Sequence, residues 1–220
     1  NMDASHSTLF FFFLGRTSEL GYFTVYVQSN FTGNNGGYGM KLKQAYVQLE
    51  YVTAGLARSS FDDPASPPTI DAQGPCGEVS SKNVLIQYAP VLSDRWRMAV
   101  SVENPSASYT CIPEMSEPIS QRCPDIPAYV QYNPDKDSHI RVSGIFRQLS
   151  YRDMLSGRNR FVTGWGMQLS GQALVGHGFT FYYSAAYGKG IAHYVNDLGG
   201  QGLDLIHSGN AGELKAPGTF

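Results

Sequence analysis

The sequence predicts an all-β protein, a transmembrane antiparallel β-barrel, and three observations support this fold class. First, the 220 residues include 14 Tyr, 12 Phe and 24 Gly but only 15% charged side chains, below the roughly 25% of soluble domains. Second, segments of about ten residues alternate apolar and polar side chains. Third, short turns and long loops alternate between these segments, as they do in membrane barrels.

Ten segments show or approach the period-2 pattern of a strand. In the clearest of them, residues 22–31, Phe23, Val25 and Val27 share one face and mostly polar side chains share the other. About ten residues suffice to cross a bilayer at a tilt. Because only every second residue meets lipid, a mean hydropathy of −0.24 is compatible with a membrane barrel. We predict strands at residues 7–16, 22–31, 40–50, 52–59, 83–88, 96–103, 128–132, 140–148, 160–169 and 179–187.

One predicted strand departs from the pattern. Residues 10–13 are four consecutive phenylalanines, so both faces of that strand are apolar. The apolar stretch 9–14 is too short for a membrane helix, which needs about 20 residues. The mildest explanation is a barrel strand that is covered by a trimer contact or by an inserted loop.

The connections between strands fall into two classes. Short turns rich in Gly, Pro, Asn, Asp and Ser are expected at residues 17–21, 133–137 and 176–178. Long connections are expected at residues 60–82, 105–126 and 188–220, with medium ones at residues 32–39 and 151–159. This alternation favours a membrane barrel. A soluble or surface all-β recognition protein of the adhesin type, with its Tyr-rich loops as the binding face, is the alternative.

Several function classes find no support in the residues. The net charge of −2, from 16 basic and 18 acidic side chains, argues against a nucleic-acid partner. The sequence contains none of the common hydrolase, zinc-protease or phosphate-loop motifs, so we expect no enzyme activity and no cofactor. Cys76, Cys111 and Cys123 lack metal-binding spacing, so we expect no metal site. Cys111 and Cys123 flank one Pro-rich segment and can form a disulfide in an oxidising compartment.

An ordered set of short segments resembles the DcaP family of outer-membrane porins, over about residues 2–195. The segments are 4–9, 17–21, 42–47, 54–55, 59–61, 68–71, 74–77, 86–88, 102–105, 144–151, 162–166 and 188–191, followed by Tyr194. The sequence departs from the family at Cys76, where a polar residue is usual, and at Leu56 and Arg58, where Gln and Trp are usual.

The resemblance implies a sixteen-stranded barrel that assembles as a homotrimer in the outer membrane of a Gram-negative bacterium. Its surroundings would be lipid and lipopolysaccharide. Its solutes would be small and hydrophilic, with a preference for small organic anions such as dicarboxylates. On the family map the chain runs from the second strand to the eleventh. Residues 1–220 are therefore expected to be part of a larger barrel, of which about ten strands are represented here.

The family map also places the 60–82 connection as a constriction loop that folds into the channel. Its acidic residues are Asp62, Asp63, Asp71 and Glu78. Basic residues on the polar faces of the strands are expected opposite them, and such opposed charges would create a transverse field. The predicted pore-lining set is Lys41, Lys43, Arg58, Asp71, Glu78, Arg97, Arg141 and Arg147. The alternative for each charged residue is a solvated side chain or an ordinary ion pair with no selective role.

Overall fold

The computed structural model describes residues 7–18, 21–33, 39–65, 77–176 and 178–219. Within these ranges the chain forms almost only strands. The elements are β1 (Thr8–Thr17), β2 (Gly21–Asn30), β3 (Lys41–Leu49), β4 (Val52–Arg58), β5 (Lys82–Tyr88), β6 (Trp96–Glu103), β7 (Tyr109–Thr110), β8 (Ser116–Pro118), β9 (Ile126–Tyr132), β10 (His139–Asp153), β11 (Arg158–Val175), β12 (Phe179–Lys189), a 3-10 turn (Ala192–Tyr194), β13 (Leu205–His207), β14 (Leu214–Lys215) and β15 (Gly218–Thr219).

Twelve of the described strands form one antiparallel sheet. Its order is β1-β2-β3-β4-β5-β6-β9-β10-β11-β12-β15, and β8 pairs with β10 beside this path. Strands that follow one another along the chain are therefore neighbours in the sheet, apart from the insertion of β7 and β8 between β6 and β9 and of β13 and β14 between β12 and β15. The order is that of an up-and-down β-barrel wall. A second, three-stranded sheet joins β7, β13 and β14.

All ten predicted strands are confirmed, and most of their ends lie within two residues of the prediction. The largest differences are in β10 and β11, which pair over fifteen residues from His139 to Asp153. Their hairpin extends past the predicted ends, and β8 pairs with the outer part of β10. The predicted connection at residues 151–159 is consequently reduced to a turn at residues 154–157.

The two faces of the sheet have opposite chemistry. On β10, Ile140, Val142 and Phe146 are each about half exposed, whereas Arg141 and Ser143 on the other face are buried. β6 follows the same rule: Trp96, Val100 and Val102 are exposed, and Ala99, Ser101 and Glu103 are buried. This arrangement is the reverse of a water-soluble sheet protein, and it fits an outer face in contact with lipid and an inner face in contact with water.

The long connections are more ordered than the sequence suggested. They pack against the inner face of the sheet and contain β7, β8, β13, β14, β15 and the 3-10 turn. One buried apolar cluster contains Phe61, Val79, Ile145, Ile191 and Tyr194. A second contains Leu149, Tyr151, Leu205 and Leu214. Burying one such side chain contributes roughly 1.5–3 kcal/mol, so these clusters hold the connections against the wall.

Two further expectations meet the structure here. The phenylalanines of β1 are exposed, and β1 pairs with β2 over all ten of its residues. Cys111 and Cys123 are both free and half-buried, so the disulfide considered from the sequence is not formed. No helix in the described part of the chain is long and apolar enough to cross a membrane.

Candidate functional site

The connection after β4 turns toward the inner face of the sheet at residues 59–65. We call this segment the inward turn. Ser60 holds its position through both of its backbone groups. The Ser60 amide donates to Glu103 Oε1 at 3.1 Å, and the Ser60 carbonyl accepts from Arg141 Nη2 at 2.9 Å. Phe61 fills the apolar cluster beneath. The turn is therefore fixed to the wall strands β6 and β10.

Asp63 anchors the far side of the inward turn. Its Oδ2 atom lies 3.0 Å from His139 Nε2 and accepts a hydrogen bond of 2.5 Å from Ser170 Oγ. Burial acts to raise the pKa of Asp63, but the hydrogen bonds from Ser170 and His139 outweigh it and hold that pKa below its ordinary value. Asp63 is therefore ionised at neutral pH and ties the turn to β10 and β11.

Asp62 has fewer hydrogen-bond partners than Asp63, the other carboxylate of the inward turn. Arg58 Nη1 donates to its Oδ2 atom at 2.8 Å, while Asp62 Oδ1 is buried without a hydrogen-bond partner among the described residues. Burial raises the pKa of Asp62 to about 6, and the nearby Arg58 guanidinium offsets this only in part. The charge of the inward turn therefore changes within the physiological pH range.

Arg141 faces the inward turn from β10. Its guanidinium carbon lies 3.4 Å from the centroid of the Tyr129 ring, a cation–π contact that keeps the side chain flat against the wall. It also donates to Ser143 Oγ at 3.3 Å. Arg141 is therefore rigidly positioned between the wall and the turn.

Two cavities meet at Pro64, Tyr129 and Arg141, which line both. The larger, of about 570 Å³, opens toward the short turns after β5 and β9. Its charged lining residues are Asp63, Asp94, Arg95, Arg97, Asp135, Lys136 and Arg141. The smaller, of about 290 Å³, lies against β3 and β4. Its lining includes Gln44, Tyr46, Gln48, Thr53, Arg58, Asp62 and Gln87. The inward turn thus stands between two polar spaces.

Three members of the predicted pore-lining set line these cavities. Arg97 is exposed on the inner face of β6 and borders the larger cavity. Arg58 borders the smaller cavity and pairs with Asp62. Arg141 borders both and is 4% exposed. Arg97 and Arg141 have the polar-face parity from which they were predicted, whereas Arg58 was predicted from its position at the end of the strand that enters the 60–82 connection, and it lies there.

Arg147 is a correction to the prediction. It lies on the same face of β10 as Arg141, yet it is 0% exposed. Its guanidinium donates to Asp125 Oδ2 at 3.0 Å and to Asp204 Oδ1 at 2.8 Å. The connections at residues 104–125 and 190–217 cover it, so Arg147 contacts no space that a solute can enter.

Of the other predicted residues that the structure describes, Lys41, Lys43 and Glu78 line neither cavity. The β2–β3 pairing contains a bulge that leaves Lys43 out of the ladder, so Lys43 is half-buried and Lys41 is exposed at the start of the strand. Glu78 is half-buried beyond the inward turn, and its carbonyl accepts from the Asn196 amide at 2.9 Å. Asp71 lies outside the described residues.

The sequence reasoning missed the uncharged part of the lining. Gln44, Tyr46 and Gln48 present amides and a phenol to the smaller cavity from β3, and Tyr129 carries the cation–π contact with Arg141. The spacing of two residues along β3 was a usable signal. It was overlooked because the prediction considered charged side chains alone.

Comparison with known proteins agrees with this geometry. A sequence model of the porin subfamily matches residues 2–210. The solved structure of the outer membrane channel DcaP of Acinetobacter baumannii is similar in fold, with a TM-score of 0.75 and 16% sequence identity. The similarity covers 88% of this chain and 54% of that chain, so this chain spans about half the length of the solved channel. No curated protein matches it. The match over nearly its whole length shows that the chain belongs to the porin subfamily.

Proposed function

We propose that the intact protein is a passive diffusion channel for small hydrophilic solutes across the bacterial outer membrane. The observation that carries the proposal is the opposite chemistry of the two sheet faces, apolar outside and polar inside, with two polar cavities on the inner side. A water-filled passage bounded by such a wall admits polar solutes and excludes apolar ones. The family membership of the chain supports the same conclusion.

The constriction in this proposal is the 60–82 connection, with the inward turn as its narrowing element. The turn contributes Asp62 and Asp63, and the wall contributes Arg58 and Arg141. Acidic and basic groups that border the same narrow passage create a local field, which orients dipolar solutes. The contacts of Ser60 with Glu103 and Arg141 support a fixed rather than a loose constriction.

The solute preference that we propose is for small organic anions such as dicarboxylates. Asp63 is held by His139 and Ser170, and Asp62 is paired with Arg58. Arg97 is exposed in the larger cavity, where it can contact an anion. A homotrimer embedded in lipid and lipopolysaccharide is part of the same proposal, since the subfamily resemblance implies it.

The channel is favoured over a soluble recognition protein by three aromatic side chains. A soluble protein would enclose Trp96, Phe179 and Phe181 in its interior. They are instead 46%, 77% and 62% exposed on the outer face of the sheet. Such a surface is suited to hydrocarbon and the membrane interface.

The proposal is tested by reversing the charge of Arg97 in the full-length protein. Single-channel recordings under a salt gradient should show the reversal potential of Arg97→Glu shifting toward cation preference, since the substitution removes a positive charge from the cavity and adds a negative one. Arg152→Glu is the matched control, because Arg152 is exposed on the other face of β10. Equal reversal potentials in wild type and Arg97→Glu would refute the assignment of Arg97. An absence of conductance in the wild type would refute the channel.

A further inference from the structure

A second group of charges lies deeper than the candidate constriction and is closed to solvent. This carboxylate cluster consists of Glu103, Asp125, Asp204, Arg147 and Tyr194. Each of its four charged side chains is at most 1% exposed. With all three carboxyls ionised and Tyr194 neutral, the cluster would hold three negative charges and one positive charge. Buried charges that lack partners are strongly disfavoured, so the protons of this cluster need to be accounted for.

Asp204 is fully supplied with donors in its ionised form. Its Oδ1 atom accepts from Arg147 Nη1 at 2.8 Å and from the His193 amide at 3.1 Å. Its Oδ2 atom accepts from the Ser108 amide at 2.9 Å and from Ser108 Oγ at 3.3 Å. Asp204 is therefore the carboxylate whose negative charge Arg147 balances.

Glu103 is also supplied as a carboxylate, without any cation. Its Oε1 atom accepts from the Ser60 amide at 3.1 Å and from Ser101 Oγ at 2.8 Å. Its Oε2 atom accepts from Asn83 Nδ2 at 2.8 Å and lies 3.2 Å from Tyr194 Oη. Three donors converge on the two oxygens of Glu103, so the carboxylate form is well solvated even before Tyr194 is considered.

Asp125 has a different environment. Its Oδ2 atom lies 2.9 Å from Tyr194 Oη and accepts from Arg147 Nε at 3.0 Å, while its Oδ1 atom is buried without a partner in the described chain. A phenol has one proton and cannot donate to Asp125 and Glu103 at once. If the Tyr194 hydroxyl donates to Glu103, its oxygen needs a donor from Asp125.

We propose that Asp125 carries a proton at Oδ2, donates it in a hydrogen bond to Tyr194 Oη, and thereby lets the Tyr194 hydroxyl donate to the Glu103 carboxylate. The burial of Asp125 raises its pKa, and Arg147 offsets this only in part, which agrees with a neutral acid at that position. A buried carbonyl oxygen without a partner is also far less unfavourable than a buried anionic one.

The hydrogen-bond series from Asp125 through Tyr194 to Glu103 links three parts of the protein. Asp125 precedes β9, Tyr194 belongs to the 190–217 connection, and Glu103 on β6 holds the inward turn through the Ser60 amide. Through these hydrogen bonds, the proton on Asp125 joins the 190–217 connection to the inward turn. Its loss would place a second uncompensated anion beside Glu103 and weaken this junction.

Among the residues that the structure describes, no other group facing the cluster supplies the missing charge. His193 Nε2 lies 3.2 Å from Asn83 Oδ1, and burial together with the nearby Arg147 lowers the His193 pKa, so its ring is neutral. Burial raises the pKa of Tyr109 to about 12, so it too is neutral. Asp125 is consequently the group whose protonation adjusts the charge of the cluster.

The isosteric amides at the two acidic positions distinguish the assignment. Asp125→Asn keeps the site neutral and its NH₂ can donate to Tyr194 Oη, but it cannot accept from Arg147 Nε. The temperature at which the full-length protein in detergent changes from its folded to its unfolded electrophoretic mobility should therefore fall only slightly. Glu103→Gln sets an amide NH₂ against the donors at one of the two oxygen positions and removes the carboxylate charge that the remaining donors solvate, so that temperature should fall by many degrees. An equal fall in both variants would overturn the proposal. A fall in Asp125→Asn alone would overturn it as well, because the proton would then reside on Glu103.

Infrared spectroscopy provides a second measurement that requires no conductance. At about pH 8, where Asp62 with its pKa of about 6 is ionised, wild-type protein should show the carbonyl stretch of a protonated carboxylic acid, and Asp125→Asn should lose this band. Asp94→Asn, at an exposed aspartate, is the matched control and should keep it. The same band in Asp125→Asn and wild type would overturn the proposal. Because neither readout depends on solute passage, failure here is distinguishable from failure of the channel function.

Discussion

Arg141 and Arg147 lie six residues apart on the same face of β10, yet they occupy different kinds of environment. Arg141 stacks on Tyr129 and borders both cavities, whereas Arg147 is enclosed with Asp125 and Asp204. The strand is the same, and so is the inner-face parity. The difference comes from the connections at residues 104–125 and 190–217. They cover the part of the inner face around Arg147 and leave the part around Arg141 open to the cavities. Alternation along the strand determines which face a side chain occupies. The connections that cover that face determine whether the side chain is enclosed or borders a cavity.

The largest effect is expected from Arg147→Met. Removing the guanidinium leaves the carboxylate of Asp204 without its cation in a solvent-free site, and breaking a buried pair from one side costs about 3–5 kcal/mol. The urea midpoint for unfolding of the protein in lipid vesicles should fall accordingly. Arg152→Met, on the exposed face of the same strand, should leave the midpoint almost unchanged. Equal midpoints for the wild type and Arg147→Met would contradict a structural role for Arg147.

A smaller loss of stability, with a larger effect on conduction, is expected from Arg141→Gln. The change removes the charged hydrogen bond to the Ser60 carbonyl, worth about 1.5–3 kcal/mol, and releases one side of the inward turn. Single-channel recordings should show lower anion preference and noisier open currents. Arg141→Lys retains the charge and should preserve the preference better than Gln does. If both variants conduct like the wild type, Arg141 has no part in the constriction.

The two aspartates of the inward turn should respond oppositely to pH. The pKa of Asp62 is raised to about 6, so the stability it contributes is present below the unfolded pKa of about 4 and is lost as pH rises through 6. The lowered pKa of Asp63 gives the opposite sign, with stability lost as pH falls through that value. Protonation of Asp62 also removes a negative charge from the inward turn. Anion preference should therefore increase as pH falls from about 7 to about 5.

Asp62→Asn is the variant that checks this pH response. It should show the low-pH ion preference at all pH values between about 5 and 7, because its side chain cannot ionise. Asp94→Asn alters an exposed carboxyl and should retain the pH response of the wild type. A pH response that survives in Asp62→Asn would assign the titration to another group.

The strands were predictable because each one is specified by local alternation. Phe23, Val25 and Val27 set a face without reference to any distant residue. The packing of the connections was not predictable, since Phe61 meets Tyr194 and Arg147 meets Asp204 across long separations in sequence. The bulge that displaces Lys43 depends on the pairing of β3 with β2. The sequence therefore predicted the wall and the inner face, but not which inner residues are covered.

The smallest effect is expected from Ser170→Ala on the open half of the inner face. Asp63 would lose one of its two side-chain anchors while keeping His139, so the loss of stability should be about 0.5–1.5 kcal/mol. The Asp63 pKa should rise, since a hydrogen bond that favours the ionised form is gone. Nuclear magnetic resonance titration of the Asp63 carboxyl would measure this shift. Ser184→Ala, on the neighbouring β12, should leave that pKa unchanged. Were the Asp63 pKa the same in Ser170→Ala and wild type, the position of the inward turn would rest on His139 and Arg141 without help from β11.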